Sequence, residues 1–275
     1  NTNTTDYIVG LPVDIRVYDS NGNLLRHRSG GYDDLGQLKE LHQYYDSKNY
    51  SVSTLKYDSY GNINSVADSR GATLSYTYDK DENMFITEIA QSGKGTDTYT
   101  SFIDYDVPTQ TKKSETDCSG NKLSYEYDSW QRIKEIRTAY DTGATPAVSY
   151  EYQTPAANEN GSHSLWHAVT SNKVTFDAGD DSVIQTVVQT DGMGRTVRTA
   201  KTGFVNGADG WNVSGAVEYD EKGRTVKEGM AEFIQGGIQT LLESTPGMTD
   251  LFTSYEYDEK DRRTRTTLPD GSVQS

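Results

Sequence analysis

Two histidines have a spacing that could support metal chemistry. His163 and His167 are four residues apart, which is the spacing of two zinc ligands on one face of a helix. Neither a cysteine pair nor a His-Glu-x-x-His sequence accompanies them, and they follow a segment rich in Asn, Gly and Pro that is typical of a loop. The sequence therefore predicts no metal site at this pair.

Acidic residues form a second candidate. Asp79, Asp81 and Asn83 match the opening of a calcium loop, but Met84 replaces the glycine of that loop and Ala90 replaces its bidentate acid. Acidic side chains at a hairpin turn are the simpler interpretation, because they can accept backbone N–H groups there.

Three further signals carry little chemistry. Asp177, Asp180 and Asp181 surround a glycine and also fit an acidic turn. Gly93-Lys-Gly95 lacks the third glycine and the strand–helix context of a phosphate loop. Cys118 is the single cysteine, so the chain has no intrachain disulfide, and its place in a turn sequence makes a nucleophile improbable.

Carboxylates are abundant, so two of them could lie at the separation used by glycosidases by chance. Nothing in the sequence selects one pair. We therefore predict no catalytic residue, no cofactor and no enzymatic activity, with a polysaccharide-active enzyme as the weakest alternative.

These residues must be positioned by a repeated element, represented by residues 217–228. Val217 and Tyr219 alternate along a strand, Asp220 begins a type I turn, and Gly223 supplies a left-handed backbone conformation. Arg224 begins the returning strand. The stretch predicts a β-hairpin with a bulge at the glycine.

Copies of this hairpin recur through the chain. They share an aromatic or threonine residue, then aspartate, then glycine three positions later, and we predict structural turn roles for their residues. The copies that keep the glycine contain Tyr18, Asp19 and Gly22; Tyr32, Asp33 and Gly36; Tyr57, Asp58 and Gly61; Asp191, Gly194 and Arg195; and Tyr219, Asp220, Gly223 and Arg224.

Looser copies begin at other tyrosines and replace the glycine. Glu82, Thr109 and Gln131 tolerate the left-handed region poorly, so we expect altered loops at these turns, whereas Asn49 and Asp261 tolerate it. Pairs of tyrosines two residues apart lie on one strand face, where aromatic rings can stack across neighbouring strands. These pairs are Tyr76/Tyr78, Tyr125/Tyr127, Tyr150/Tyr152 and Tyr255/Tyr257. A carbohydrate-stacking surface is the less favoured use of them.

The formal net charge of −15 argues against a nucleic-acid partner and against an anionic membrane surface. A single hairpin is marginal in water, so the hairpins must stack in series. We predict an all-β array over residues 1–275, with short copies in 1–56, regular repeats in 57–152 and longer insertions in 153–275. The abrupt ends indicate a segment of a larger protein.

Two segments depart from the repeat. Residues 202–215 carry four glycines around Trp211, and we predict a long connection between hairpins there. The sequence Ile238-Gln-Thr-Leu-Leu fits either a strand or one helical turn, and the chain predicts no long helix.

The Tyr-Asp-x-x-Gly-Arg pattern resembles the YD repeat, also called the RHS repeat. The copies around Asp191, Tyr219 and Tyr255 are most similar to the B component of bacterial insecticidal toxin complexes and to SpvB-like proteins, with a distant relation to teneurins. This resemblance implies hairpins wound as a curved, spiral sheet that closes into a hollow shell. We find no block resembling the self-cleaving core of polymorphic RHS toxins.

The resemblance further implies a secreted or cell-surface bacterial protein whose wall encloses or scaffolds a toxin or effector polypeptide. Its partners would be the rest of the same shell and that enclosed polypeptide, without membrane insertion by this segment. The alternative is an extracellular adhesion module that binds protein or glycan.

Overall fold

A computed structural model describes residues 8–93, 95, 97–141, 143–153, 165–177, 179–244 and 251–274. The chain divides into two compact units, Asn1–Tyr125 and Glu126–Ser275. His163 and the Asn/Gly/Pro segment before it lie outside the described residues.

The first unit consists of strands, as the alternating sequence predicts. Its strands are β1 (Asp14–Tyr18), β2 (Leu24–Tyr32), β3 (Leu38–Tyr44), β4 (Tyr50–Tyr57), β5 (Ile63–Asp68), β6 (Thr73–Tyr78), β7 (Ile86–Ser92), β8 (Thr98–Asp106), β9 (Thr111–Thr116) and β10 (Lys122–Tyr127), the last of which crosses the boundary. Each strand pairs antiparallel with the next one in the sequence.

The second unit adds one short helix to its strands. Its elements are β11 (Ile133–Thr138), β12 (Val148–Gln153), β13 (Trp166–Lys173), β14 (Val183–Thr190), β15 (Thr196–Val205), β16 (Ala208–Val213), β17 (Val217–Tyr219), β18 (Thr225–Gly229), β19 (Glu232–Gln235), α1 (Ile238–Glu243), β20 (Phe252–Tyr257), β21 (Arg263–Thr267) and β22 (Val273–Gln274).

Antiparallel pairing in the second unit follows two series. Strands β11 to β16 pair consecutively, and β16 then pairs with β19. Strands β17, β18, β20, β21 and β22 pair consecutively in a separate sheet. Consecutive antiparallel hairpins in both units confirm the predicted all-β repeat fold.

The register shifts by one residue at the motif position of eight hairpins. In the representative copy, Glu218 pairs with Lys227 while Tyr219 pairs with Thr225, so the returning strand has one extra residue. The same irregularity occurs next to Tyr18, Tyr32, Tyr57, Tyr78, Tyr105, Thr190 and Tyr257. Because a bulge increases local twist, each copy bends its strand at the same place.

An apolar core occurs in the second unit, where α1 packs over its strands. Leu241 of α1 is fully buried, and Trp211 is 3% exposed. The cluster consists of Val169, Val187, Ala200, Trp211, Val213 and Leu241. Among the described residues of the first unit, no apolar side chain is buried to this degree. That unit is therefore a sheet with half-exposed faces.

The connection predicted at residues 202–215 is wrong. Strands β15 and β16 form a hairpin across this stretch, with Val205 paired to Ala208. Asn206 and Gly207 both have positive φ, which is the backbone of a two-residue type I′ turn. The Asn-Gly pair was the signal for this turn, and the density of glycines around Trp211 obscured it. The helical alternative at Ile238 is confirmed by α1.

The altered loops are confirmed at two of three turns. Positive φ moves to Asn83 in one loop and to Gln110 in another, away from the predicted positions. Gln131 instead adopts φ +62 and keeps the regular turn, with its N–H bonded to the Asp128 carbonyl at 3.0 Å. The prediction for Gln131 is wrong because the surrounding hydrogen bonds hold a glutamine in a conformation that costs about 1 kcal/mol or more.

Asn49 also departs from the expected turn. It does not adopt positive φ, although asparagine tolerates that region. The strands here close with Tyr44 opposite Tyr50, and Asp46 accepts the Asn49 N–H at 2.8 Å. This loop is therefore a different turn from that of the regular copies.

No helix among the described residues is both long and apolar enough to cross a membrane.

Candidate functional site

Aspartate organises each regular turn. In the representative copy, Asp220 Oδ1 accepts the backbone N–H groups of Lys222 at 3.0 Å and Arg224 at 2.9 Å. Gly223 has φ +83 and donates its N–H to the Asp220 carbonyl at 2.9 Å. The same two-donor pattern occurs at Asp19, Asp33, Asp58, Asp68, Asp117, Asp128, Asp191 and Asp258.

Hydrogen bonds to these carboxylates favour their ionised form. The Arg224 N–H holds the pKa of Asp220 below its ordinary value, aided by the Arg224 guanidinium. Backbone N–H groups of Phe85 and Glu82 lower the pKa of Asp79 to about 2. Asp220 and Asp79 are therefore ionised at neutral pH.

In seven of the turns the second carboxylate oxygen takes a side-chain donor from the residue directly after the glycine position, four residues after the aspartate. In the first unit this donor is an amide, as in Asn62, whose Nδ2 donates to Asp58 at 3.1 Å. In the second unit it is a guanidinium, as in Arg224, whose Nε lies 2.7 Å from Asp220. The other amides are Asn23 and Asn121, and the other guanidinium groups belong to Arg132, Arg195 and Arg262.

The guanidinium groups also contact the following copy. Arg224 lies over the ring of Tyr257, 4.7 Å from its centroid, and donates to Asp261 at 2.6 Å. Arg195 lies over Tyr219 at 4.5 Å. Each of these arginines therefore forms an ion pair with the aspartate of its own turn and a cation–π contact with the tyrosine of the next copy. Arg224 also forms an ion pair with Asp261 of the next copy.

The motif tyrosines reach in the opposite direction along the chain. The hydroxyl of Tyr257 donates to the backbone carbonyl of Thr225 at 2.7 Å, and Tyr219 donates to Thr196 at 2.7 Å. The acceptor is the sixth residue after the motif position of the preceding copy. Equivalent bonds join Tyr57 to Leu38, Tyr78 to Ile63 and Tyr152 to Ile133.

Sequence reasoning missed these hydroxyl bonds, because it considered ring stacking across strands. Tyr150 and Tyr152 do stack, with 6.5 Å between centroids, but they lie on one strand. The first tyrosine of two other pairs bonds a carboxylate: Tyr125 to Glu115 at 2.6 Å and Tyr255 to Glu228 at 3.0 Å. The regular spacing of the copies is the signal that could have revealed a link between them.

A buried arginine anchors α1 and was also missed. Arg198 is 2% exposed, and its guanidinium donates to the Leu241 carbonyl at 2.6 Å, to the Ser244 carbonyl at 2.9 Å and to Gln189 Oε1 at 2.5 Å. Burial lowers its pKa. No local pattern predicts the contact with α1, because Leu241 and Ser244 are more than forty residues from Arg198. Arg198 thus fastens the end of the helix to β15.

The metal candidates gain no support from the geometry. His167 Nδ1 lies 3.3 Å from the Leu165 carbonyl. Both oxygens of Asp79 accept backbone N–H groups, from Glu82, Asn83, Met84 and Phe85, as expected of a turn residue. Within the described part of the chain, no three His, Cys, Asp or Glu residues form a cluster suited to a metal ion.

One arrangement has the residue types of a nucleophilic triad. Ser29 Oγ lies 3.4 Å from His42 Nδ1, and His42 Nε2 lies 3.5 Å from a Glu40 oxygen. Both distances exceed the reach expected of such a triad, and the His42 ring stacks on Tyr50 at 4.8 Å. The arrangement supports packing between strands more than proton transfer.

No family model and no curated protein matches the chain. Solved structures do match its fold. The crystal structure of TcdB2-TccC3 superposes with a TM-score of 0.72 at 13% identity, over 99% of this chain and 19% of that one. The Tc holotoxin pore of Photorhabdus luminescens gives 0.74 at 11% identity, over 99% and 21%. The chain thus spans about a fifth of these relatives, and they share its fold, which is consistent with the YD-repeat resemblance.

Proposed function

We propose that this chain is a section of the wall of a hollow β-shell. In this proposal the shell encloses or scaffolds a toxin or effector polypeptide within a large bacterial protein that is secreted or displayed at the cell surface. The chain has a structural role and no catalytic one. The main support for this proposal is a set of hydrogen bonds between copies. In each, the hydroxyl of a motif tyrosine donates to a backbone carbonyl of an earlier copy.

This bond suits a wall because it adds hairpins in series. The carbonyl that Tyr257 contacts belongs to Thr225, in the copy before it, and the ring of Tyr257 also covers Arg224 of that copy. A strip built by such contacts can extend without a new core for every unit. The first unit shows this economy, since it is an extended series of strands with little buried apolar surface.

Structural similarity supports a shell, and the encapsulating role is an extension of it. TcdB2 and TccC3 occur together in one matched crystal structure, and the other match is a toxin pore assembly. Because this chain spans about a fifth of each matched chain, we propose that its partners are the remaining wall and an enclosed polypeptide. The charge of −15 would attract a basic, partly unfolded cargo and repel nucleic acid.

We also propose that the motif residues act structurally: the aspartates close the turns and the glycines supply positive φ. In the second unit, the arginine links one turn to the next hairpin. The residues concerned are Tyr18, Asp19, Gly22, Tyr32, Asp33, Gly36, Tyr57, Asp58, Gly61, Asp191, Gly194, Arg195, Tyr219, Asp220, Gly223 and Arg224.

Electron microscopy of the whole polypeptide that its gene encodes tests the proposal. We expect hollow particles with internal density, and we expect an internal segment to resist protease until the wall is denatured. Solid particles or an extended rod would contradict a shell. A hollow particle whose other segments are all equally accessible to protease would contradict encapsulation alone.

A further inference from the structure

A groove in the second unit lies outside the structural roles described above. It has a volume of about 520 Å3 and opens where β12, β13 and β14 end near one turn. Its aromatic boundary consists of Trp130, Tyr152 and Trp166. Small side chains, including Ala168 and Val188, form its floor. We call this depression the tryptophan groove.

Strand register explains why the floor of the groove consists of small side chains. Tyr152 pairs with Ala168, and Ala168 pairs with Val188, so these three share one face of the sheet. Trp166 pairs with Thr190 two residues further along, on the same face. Large rings therefore flank a row of small residues, which leaves a depression between them.

Thr190 enlarges the depression because it replaces the aromatic residue of the repeat. At the equivalent position the second unit has Tyr219 and Tyr257, whose rings fill the space over Arg195 and Arg224. A threonine has no ring to place there. The groove is thus a departure from the repeat at a defined position.

The exposed rings indicate the kind of ligand. Trp130 is 79% exposed and Trp166 is 46% exposed, although an indole ring is usually covered by packing. Within the described part of the chain, neither indole N–H makes a hydrogen bond. The groove therefore offers flat apolar faces together with donors at their edges, a combination that suits a ring with an apolar face and hydroxyl groups at its rim.

Charge distinguishes a neutral ligand from an anionic one. Arg132 borders the groove, but its guanidinium lies 2.7 Å from Asp128 and covers the ring of Tyr152 at 4.1 Å. Its charge is therefore already matched. The chain as a whole carries −15, so an anionic ligand would meet general repulsion, and among the described residues that line the groove there is no Lys or Arg besides Arg132.

We propose that the tryptophan groove binds a neutral pyranose residue of a glycan, with Trp130 and Trp166 stacking on the sugar. The proposal does not depend on a shell, since the groove belongs to one unit and opens to solvent.

Tryptophan fluorescence of the intact chain tests this proposal. The probes are neutral cello-, chito-, galacto- and manno-oligosaccharides, their uronate-bearing counterparts and a proline-rich peptide. We expect at least one neutral saccharide to quench the emission with a Kd of about 1 mM or tighter. Trp211 is buried in the core and serves as an internal report that the fold is intact.

Three variants assign the binding to the groove. Trp130→Ala should weaken it by about tenfold or more, because one stacking face is lost. Thr190→Tyr should abolish it, since the new ring fills the groove as Tyr219 and Tyr257 do in their copies. Tyr60→Ala is the matched control, because Tyr60 is 70% exposed at the same position of a first-unit turn, and it should change nothing.

Several results would overturn the proposal. They are the absence of binding by every neutral saccharide, a requirement for the uronate group, or binding of the peptide alone, which would assign the groove to a protein partner. Undiminished binding by Trp130→Ala would place the saccharide elsewhere. This exposed variant keeps the test decisive even if Thr190→Tyr fails to fold.

Discussion

Three regular turns of the first unit close with an amide side chain, whereas four turns of the second close with a guanidinium. Asn62 is a neutral donor that bonds Asp58 at 3.1 Å and also the Asn83 carbonyl of the next copy at 2.7 Å. Arg224 satisfies Asp220 with an ion pair and also contacts Tyr257 and Asp261 of the next copy. Both closing side chains therefore reach the next copy, Asn62 through a hydrogen bond to a backbone carbonyl and Arg224 through an ion pair and a cation–π contact.

The two units also differ in how much apolar surface they bury, and the second unit buries more. The second unit has a core around Trp211 that α1 covers, and Arg198 fastens that helix. In the described part of the first unit, stability rests on strand pairing, on turn hydrogen bonds and on tyrosine hydroxyl bonds, since no apolar cluster is fully buried there. The repeat can therefore be sustained with or without a core, and a core adds resistance to unfolding where it occurs.

The largest expected loss of stability comes from removing a side chain of the buried core in the second unit. Trp211→Ala removes a side chain that is 3% exposed, and we expect the second unit to lose about 3–5 kcal/mol of unfolding free energy, because a large cavity remains. Phe102→Ala, at a 51% exposed position of the first unit, should cost less than about 1 kcal/mol. Urea denaturation followed by circular dichroism measures both. Equal losses would remove the distinction between the units.

A second pair of variants tests what the units share. Gly61 and Gly223 both have positive φ, and a Cβ at either would lie 3.3 Å from the flexible end of one side chain, Gln37 or Arg195. Backbone strain should therefore dominate, and Gly61→Val and Gly223→Val should each destabilise by about 1–3 kcal/mol. The same denaturation measurement applies. A loss near zero at Gly223 would contradict its turn role.

These turns mark how far sequence reasoning extends. The hairpin at Asp220 was predictable because aspartate, glycine and strand alternation all act within a dozen residues. Gln131 was not, because its positive φ is imposed by partners that override its own preference. Arg198 and Trp211 were not either, since their burial depends on a helix and strands distant in the sequence, and no local pattern records those contacts.

The tryptophan groove could not be predicted from the sequence either, because it depends on which strands pair. The sequence shows that Thr190 stands where other copies have a tyrosine, but the consequence depends on Trp166 pairing beside it. Pairing of strands that are joined by long connections cannot be read from periodicity alone.

A smaller effect is expected from the two closing side chains. Arg224→Ala should destabilise by about 0.5–1 kcal/mol more than Asn62→Ala, because Arg224 adds a cation–π contact with Tyr257 to its hydrogen bonds, whereas Asn62 makes hydrogen bonds only. A cycle with Tyr257→Leu measures the attachment. Additive losses for Arg224→Ala and Tyr257→Leu would show that the cation–π contact contributes nothing to stability.

The smallest effect at neutral pH is that of protonating the turn aspartates Asp79 and Asp220, because both are ionised there. The pKa of Asp79 is about 2 when folded, as backbone N–H groups of Phe85 and Glu82 stabilise its carboxylate, whereas an unfolded aspartate titrates near about 4. The stability contributed by a lowered pKa is complete above the unfolded value and is lost as the pH falls through the folded value. We therefore expect the melting temperature to fall between about pH 4 and pH 2.

Asp79→Asn cannot titrate, so its melting temperature should start lower and fall less steeply across this range. The same substitution at Asp220 should flatten the profile in its own unit, because the Arg224 N–H lowers the pKa of that carboxyl too. If the melting temperature of both variants fell with pH as steeply as that of the unmodified chain, the acid sensitivity would arise outside these turns. The turn aspartates would then not be the source of acid sensitivity that the two units share.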